Sequence, residues 1–254
     1  TSMFQTSTIG HLDLRNLNTS NYPSMNNMFG SSTITTLDLP KKIYCGSNSS
    51  GMFTAYKGPT DIFKIMDTHG VTSMANMIQS PGTLPAGSEI DISSWDTRNT
   101  TSMASMFAGS NASQGCNSGI IFPDNFGSVC TNMQYMFAYY QYNTLDLSKF
   151  NTPALTNVSY MFQYTGSNLT NLDVSPLDLS HVTAATYMFY NSNIKDLYMP
   201  NEISLVTNGN YMFSTMRMIN VMDISGFDLT KVTTKNQMFV NVGTAAKLSE
   251  GAYA

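Results

Sequence analysis

Residues 145–162 read LDLSKFNTPALTNVSYMF, and degenerate copies of this stretch return along the whole chain. Each copy ends on a Met-Phe pair or a close variant, and successive pairs lie 24 to 30 residues apart. The pairs are Met3-Phe4, Met28-Phe29, Met52-Phe53, Met77-Ile78, Met106-Phe107, Met136-Phe137, Met161-Phe162, Met188-Phe189, Met212-Phe213 and Met238-Phe239. A fixed period of this length is typical of a solenoid, in which each repeat stacks on its neighbours.

An apolar-Asp-apolar triplet opens most repeats, and its alternation predicts one short strand with one buried face. Strands that run in the same chain direction would stack into a parallel sheet, about 4.8 Å apart. A degenerate copy of the triplet lies at residues 62–65. The central carboxylates are expected to form an exposed column, which consists of Asp13, Asp38, Asp91, Asp146, Asp173 and Asp223.

Like charges at strand spacing repel, so hydroxyl or basic neighbours, or bound cations, should lie beside this aspartate column. No calcium-loop motif accompanies it, and we predict no metal site. A second column of Asn or Asp follows a bulky apolar residue at the corner of each repeat. We expect these short polar side chains to hydrogen-bond the backbone of their own or an adjacent turn.

A threonine stands five residues before the Met in most repeats. Two residues after it comes another Met or Val, and the i to i+3 spacing to the next Met fits a short helical turn. The threonine is therefore predicted to cap that turn. The row consists of Thr72, Thr101, Thr131, Thr156, Thr183, Thr207 and Thr233. A threonine row can also suggest ice binding, but this one borders the expected helix start and breaks in the first turns.

The repeats together predict an α/β repeat fold. It is a right-handed leucine-rich-repeat solenoid, with one short parallel strand and one short helical turn per repeat of about 25 residues. The Met and Phe columns are expected to form its core. Composition does not change abruptly along the chain, so residues 1–254 are expected to form a single domain of about nine to ten turns.

Composition and motifs argue against several classes of function. Only 11% of the residues are charged and the net charge is −4, with no basic stripe, so we expect no nucleic-acid partner. No run of 18 apolar residues occurs, and we expect no direct membrane insertion by this chain. The three histidines lack metal-ligand spacing, and no nucleophile, phosphate-loop or paired-cysteine motif is present. We therefore expect no enzyme activity and no cofactor, while pairing of Cys116 with Cys130 stays open.

One column changes its chemistry along the array. The residue before the Met is small and polar in the early repeats, at Asn27, Gly51, Asn76 and Ser105, and is Tyr in the four repeats that follow. Further tyrosines come shortly after the Met-Phe pairs. The candidate binding residues are Tyr135, Tyr139, Tyr140, Tyr142, Tyr160, Tyr164, Tyr187, Tyr190 and Tyr211. Rings that share a face could stack on sugars or pack on a partner protein; alternatively, they only cover the core.

The repeat resembles the BspA-like leucine-rich-repeat surface proteins of bacteria, in the variant Leu-Asp-Leu-Ser-x-Phe-Asp-Thr-Ser-x-Val-Thr-x-Met-x-x-Met-Phe. Residues 145–162 follow that pattern nearly throughout, and residues 90–107 match it as well. The resemblance implies an extracellular, cell-surface adhesion or recognition module. Its partner would be a host extracellular-matrix or cell-surface protein or glycan, or the surface of another microbe. The chain starts within a repeat, so we expect it to be part of a longer surface protein. The alternatives are a spacer that displays another domain, and a flat face that binds ice or a carbohydrate surface.

Overall fold

The computed structural model describes residues 2–85, 87–166 and 168–243, which form a parallel β-solenoid. Nine short strands occur in these ranges. They are β1 (Thr8–Asp13), β2 (Thr33–Asp38), β3 (Ile43–Tyr44), β4 (Met66–Asp67), β5 (Glu89–Asp91), β6 (Gly119–Ile121), β7 (Asn171–Asp173), β8 (Asp196–Tyr198) and β9 (Val221–Asp223). They pair as β1-β2, β3-β4, β5-β6 and β7-β8-β9, and every pair is parallel. The predicted strand-per-repeat stacking is thus confirmed for most repeats.

The register places equivalent repeat positions side by side. Asp13 lies opposite Asp38, and Leu172 lies opposite Leu197, which in turn pairs with Met222. A second line of parallel bridges runs along another side of the coil. It joins nine successive positions, namely Ser24, Asn48, Ser73, Ser102, Asn132, Asn157, Ala184, Asn208 and Thr234. The described residues therefore complete about nine turns.

The Met and Phe columns form the core, as predicted. Phe137 stacks on Phe162 with ring centroids 5.6 Å apart and planes inclined by 12°. The same stacking joins Phe162 to Phe189 and Phe189 to Phe213, at 5.4 and 5.6 Å. Met161 and its equivalents from Met28 to Met238 are buried beside them, whereas Met3 in the first repeat is 52% exposed. A continuous apolar ladder of this kind lets each turn bury surface only against its neighbours, which is how a solenoid is stabilised.

The predicted α/β label and helical turns are only partly supported. The described residues contain three short 3-10 helices, Thr60–Ile65, Pro81–Thr83 and Ala112–Gln114, and none of them holds a Met-Phe pair. From Met28 onward, the residue before the Met of each Met-Phe pair or variant has positive φ, so a right-handed helix cannot pass through it. Instead of bonding within its own turn, the Phe162 N–H donates to the Met188 carbonyl at 2.8 Å, and the other repeats do the same.

The threonine row also differs from the prediction, because no helix follows it for its hydroxyls to cap. The Thr156 hydroxyl donates to the Thr131 carbonyl of the preceding turn at 3.0 Å. Thr131 bonds Thr101 in the same way, and Thr233 bonds Thr207. The row is thus a ladder of exposed side chains that joins turn to turn.

Two strand predictions fail for local reasons. Residues 62–65 lie in the 3-10 helix Thr60–Ile65 rather than in a strand. Residues 145–147 keep the inward side chains of a strand but pair with neither β6 nor β7. Tyr140 contacts this part of the chain from the core, where its hydroxyl donates to the Thr144 carbonyl at 2.8 Å. It also contacts the Ser118 carbonyl at 3.4 Å and so connects two segments that no strand ladder joins.

Candidate functional site

Four tyrosines in the column before the Met form a stacked ladder on the outside of the solenoid. Tyr135 and Tyr160 have ring centroids 4.3 Å apart and planes 9° apart. Tyr160 and Tyr187 are 5.1 Å apart, and Tyr187 and Tyr211 are 4.6 Å apart, with both pairs inclined by 7°. These distances follow the spacing of adjacent turns, about 4.8 Å. The ring planes therefore face one another along the solenoid axis.

A second, shorter set of rings lies beside this ladder. Tyr139 stacks on Tyr164 at 4.8 Å and 16°. Tyr190 is turned across the stacks, at 88° to Tyr164, 75° to Tyr187 and 82° to Tyr211. We call these seven half-buried rings the tyrosine face, which consists of Tyr135, Tyr139, Tyr160, Tyr164, Tyr187, Tyr190 and Tyr211. These ring contacts bring the seven tyrosines together on one side of the molecule.

The backbone under the ladder is left-handed. Tyr135, Tyr160, Tyr187 and Tyr211 have φ of 59°, 62°, 56° and 56°. Asn27, Gly51, Asn76 and Ser105 occupy the same column and have φ of 54°, 65°, 57° and 56°. Gly and Asn tolerate this conformation, whereas a bulky side chain costs free energy there. The backbone therefore favours the early residues and disfavours the tyrosines.

The core does not need the tyrosines as a cover. Phe29 and Phe53 lie beneath Asn27 and Gly51 and are 0% and 1% exposed. Phe162 and Phe189, beneath tyrosines, are 0% exposed. These phenylalanines are thus fully buried whether the column above them holds Tyr or a smaller residue. A purely structural role does not explain why large aromatic rings occupy a left-handed position in four consecutive repeats.

Two of the nine candidate tyrosines do not belong to the tyrosine face. Tyr140 was expected among the exposed rings, but it is 0% exposed and packs edge-on against Phe137. It lies three residues after Phe137, as buried Tyr56 lies three after Phe53. Tyr142 is half-buried beside Gly119 and lines a separate cleft with Asn117, Asn143 and Asn168. Spacing from the Phe could have identified Tyr140 as a core residue.

The ionisation of three rings reflects this packing. Burial raises the pKa of Tyr135, and the neighbouring Tyr160 raises it further. Burial and the nearby Tyr211 raise the pKa of Tyr187 in the same way. Burial and Tyr190 raise the pKa of Tyr164. These hydroxyls therefore stay protonated at neutral pH, where each can both donate and accept a hydrogen bond.

The aspartate column lies on the strand side of the solenoid. Asp13, Asp146, Asp173 and Asp223 are exposed, while Asp38 and Asp91 are half-buried. Each of Asp13, Asp91, Asp146, Asp173 and Asp223 accepts a hydrogen bond from the backbone N–H two residues later, at 2.9 to 3.0 Å. Local turns of this type order the corners where the strands end.

Basic or hydroxyl neighbours accompany at least four of these carboxylates, as expected. Hydrogen bonds from the backbone and side chain of Ser148 lower the pKa of Asp146. Arg15 pairs with Asp13 at 2.7 Å, and hydrogen bonds from Arg15 lower the pKa of Asp13 to about 2. His11 lies 3.6 Å from Asp38, and the Ser93 hydroxyl donates to Asp91 at 2.7 Å. No group of three or more His, Cys, Asp or Glu side chains that could hold a metal ion occurs in the described ranges.

The second column of Asn or Asp, at the corner of each repeat, also accepts hydrogen bonds from the backbone, as predicted. Asp96, Asp178 and Asp228 accept the N–H groups of Arg98, Ser180 and Thr230 at 3.0 to 3.1 Å. The side-chain hydrogen bond and charge of Arg98 hold the pKa of Asp96 far below its usual range. Asn18 and Asp67 make equivalent bonds to Ser20 and His69.

A cleft of about 410 Å³ opens on the strand side, where residues 145–147 leave the sheet. It is lined by Asn143, Asp146, Asn171, Asp173 and Tyr198, whose ring is 49% exposed. The repeat pattern gives no sign of this cleft, because residues 145–147 match the strand consensus better than most copies. The break in the strand ladder creates it.

The remaining reactive groups are enclosed. Cys45, Cys116 and Cys130 are buried free thiols, so Cys116 and Cys130 do not pair. Burial raises the pKa of Cys45 and Cys116 to about 12 and that of Cys130 to about 11, which keeps the thiols protonated and unreactive. Among the residues with a described structure, no helix is long and apolar enough to cross a membrane.

Comparison with protein families gives one match, which covers nearly the whole chain. The family is described as "Mycoplasma protein of unknown function, DUF285", and its model matches residues 1–54, 47–118, 125–201 and 173–249. Overlapping matches are expected for a repeat whose period is shorter than the model. No curated protein and no solved structure matches the chain significantly. The chain belongs to the DUF285 repeat family.

Proposed function

We propose that this DUF285 chain is a non-catalytic recognition module and that the tyrosine face is its binding surface. The observation that supports this proposal is the presence of stacked tyrosines at left-handed positions that the fold itself fills with Asn, Gly or Ser. Exposed aromatic clusters are enriched at protein interfaces, where a ring supplies a large contact area with one polar end. A ring held by its neighbours also loses little side-chain entropy on binding.

The proposed setting is the outside of a cell. The repeat resembles that of BspA-like leucine-rich-repeat surface proteins, and the parallel solenoid is compatible with their right-handed coil. A module of this kind would act in adhesion, and its partner would be a matrix or cell-surface protein, a glycan or the surface of another microbe. Secretion, anchoring and a bacterial source belong to the same proposal and rest on the resemblance alone.

A spacer that displays another domain is the alternative. It would need only uniform polar columns, and it would not favour strained tyrosines in one half of the array. Ice binding would use the exposed threonine ladder. Its hydroxyl hydrogens already bond backbone carbonyls of the preceding turn, as for Thr131 and Thr156, which leaves fewer donors for an external lattice. Both alternatives therefore receive less support than recognition by the tyrosine face.

The test is an array of extracellular-matrix proteins and glycans probed with the labelled chain. The variant Tyr160→Asn/Tyr187→Asn/Tyr211→Asn replaces three rings by the residue that the fold uses at Asn27 and Asn76. Binding to the captured ligand should weaken at least about tenfold, since each ring contributes roughly 0.5 to 1.5 kcal/mol beyond its buried area. Tyr198→Asn, on the strand side, is the matched control and should bind as the unaltered chain does. Equal binding by the triple variant would exclude the tyrosine face as the site.

A further inference from the structure

The side of the solenoid that carries the tyrosine face has no charged residues over eight turns. We call it the Met-Phe side and define it by the segments that run from the bridge ladder to just beyond each Met-Phe pair. These segments, each from four residues before to four residues after the Met of the pair, are residues 24–32, 48–56, 73–81, 102–110, 132–140, 157–165, 184–192 and 208–216, and they contain no Asp, Glu, Lys, Arg or His. Lys57 and Arg217, each five residues after the Met of a pair, lie at the edge of this side, and Lys235 lies within the corresponding segment of the ninth turn.

We propose that the Met-Phe side binds a neutral linear polysaccharide that runs along the solenoid axis. This inference rests on the proposed function, because it names the ligand class of the same tyrosine face. A surface with no ionic groups gains nothing from a charged partner, and a charged partner would lose hydration without forming an ion pair. A neutral polyol fits such a surface, because its hydroxyls are both donors and acceptors.

The geometry of the ladder determines what it offers to a ligand. The stacked faces of Tyr160 and Tyr187 are occupied by their neighbours. Ring edges and hydroxyl groups are therefore the parts of the ladder left for a ligand, and they repeat at each turn. The four-ring ladder spans about 14 Å, three steps of about 4.8 Å. A regular row of phenol hydroxyls matches a ligand with hydroxyls along its length, such as a chain of hexoses.

Tyr190 could add ring stacking on a sugar to the hydrogen bonds that the ladder hydroxyls offer. Its plane lies nearly perpendicular to Tyr164, Tyr187 and Tyr211, so its ring lies across the ladder rather than within it. A ring in this orientation can present a face to the ligand. We assign to Tyr190 the stacking of one sugar ring, with the hydroxyls of Tyr187 and Tyr211 bonding the neighbouring units.

The early turns extend the same surface. Where the column holds Asn27, Gly51 and Asn76 instead of Tyr, a cleft of about 330 Å³ opens on the Met-Phe side. Asn26 and Gln79 also line it, and the Asn26 side-chain oxygen is buried without a hydrogen-bond partner in the structure. Amide groups are suited to bind sugar hydroxyls because they both donate and accept. A long chain could thus contact the amide cleft at one end and the tyrosine ladder at the other.

The experiment measures binding of the purified chain to neutral and anionic polymers by affinity electrophoresis and calorimetry. The neutral probes are dextran, mannan and laminarin, and the anionic probes are heparin and hyaluronan. At least one neutral polymer should bind, with an affinity that changes less than about twofold between 0.05 and 0.5 M NaCl, because no ion pair forms. Oligosaccharides of increasing length should bind more tightly until they span the ladder.

Variants locate the contact. Tyr187→Asn/Tyr190→Asn should weaken neutral-polymer binding at least about tenfold. Asn76→Ala/Gln79→Ala should weaken only the binding of long chains, and Tyr44→Asn, an exposed ring on β3, should change nothing. Circular dichroism of each variant confirms that the fold is intact.

The possible outcomes distinguish the polysaccharide inference from the proposed function on which it rests. Tyrosine-dependent binding to a matrix protein, with no neutral polymer bound, would overturn the polysaccharide inference and leave the proposed function standing. Neutral-polymer binding that is unchanged in the tyrosine variants would overturn both the polysaccharide inference and the proposed function. Affinity that does not rise with oligosaccharide length would exclude a ligand along the axis. Failure of every neutral polymer to bind would also overturn the inference.

Discussion

Tyr135 stacks on Tyr160 with ring centroids 4.3 Å apart, although both residues hold a left-handed backbone, with φ of 59° and 62°. At each step of the ladder, the favourable stacking of the rings therefore opposes the strain of the left-handed backbone. A stacked aromatic pair contributes roughly 0.5 to 1.5 kcal/mol, while a left-handed conformation costs a bulky residue roughly 1 to 2 kcal/mol. These magnitudes nearly cancel, so the ladder adds little to the stability of the fold.

Replacement of the ladder should consequently leave stability almost unchanged. The variant with Tyr135, Tyr160, Tyr187 and Tyr211 all changed to Asn should keep its Tm within a few degrees, because relief of strain offsets lost stacking. Tyr187→Val is the informative comparison. A β-branched residue is an outlier at positive φ, and it should cost more than about 1 kcal/mol. Thermal unfolding of both proteins checks this, and a quadruple variant that unfolds at low temperature would show that the ladder is structural.

Substitution of Tyr140, unlike substitution of the ladder tyrosines, should destabilise the protein. Tyr140→Phe removes the donor to the Thr144 carbonyl and should cost about 1 to 3 kcal/mol, because a partly buried acceptor loses its partner. Tyr140→Ser also leaves a cavity and should cost about 3 to 5 kcal/mol. Tyr139→Phe is the matched control, with an expected change within about 0.5 kcal/mol. Urea unfolding gives the free energies, and equal stability of the Phe variants would contradict the bridging role of Tyr140.

Alkaline pH should destabilise the protein through its thiols. Burial raises the pKa of Cys116 to about 12 from an ordinary value of 9.0. The folded state therefore keeps its proton where the unfolded state loses it. Stability is fully present below pH 9.0 and falls as pH rises towards about 12. Cys45 and Cys130 act in the same direction.

The measurement is Tm as a function of pH, with the triple variant Cys45→Ala/Cys116→Ala/Cys130→Ala as the comparison. Its Tm should be lower at neutral pH but should fall less steeply above about pH 9. In the unaltered protein, the thiols should resist alkylation until unfolding. Rapid alkylation under native conditions would contradict their burial.

A break in the Met ladder should be costly. Met161 is 0% exposed, and Met161→Ala should destabilise the protein by about 2 to 5 kcal/mol through lost burial and the cavity left behind. Met218 is 49% exposed, and Met218→Ala should change stability by less than about 0.5 kcal/mol. Denaturant titration distinguishes the two. A small effect of Met161→Ala would mean that adjacent turns collapse into the cavity.

The alternation of apolar and polar residues predicted the strands better than the threonine and Met spacing predicted the turns. Leu172-Asp173-Val174 alternates with a period of two, which is the period of an extended chain with one buried face, and Leu172 and Asp173 lie in β7. The threonine and Met spacing equally fitted a helix, and the structure has only isolated turns around the Met-Phe pairs. The distinguishing clue was the Asn and Gly at positions 27, 51 and 76, residue types that mark a left-handed backbone. The tyrosines that follow in the same column made this signal hard to recognise, because bulky residues rarely adopt a left-handed backbone.

The sequence by itself determined the repeat, its period, the parallel stacking and the identity of the core columns. These are properties that each repeat carries separately and that ten copies reinforce. Only the tertiary structure decided which tyrosines contact one another, because Tyr139 stacks on Tyr164 of the next turn, whereas its sequence neighbour Tyr140 packs against Phe137 in the core. It also decided that the ladder rings face one another and that the uncharged segments of eight turns lie on one side. Those relationships arise between turns, across 24 to 30 residues of chain, and local patterns do not encode contacts over that distance.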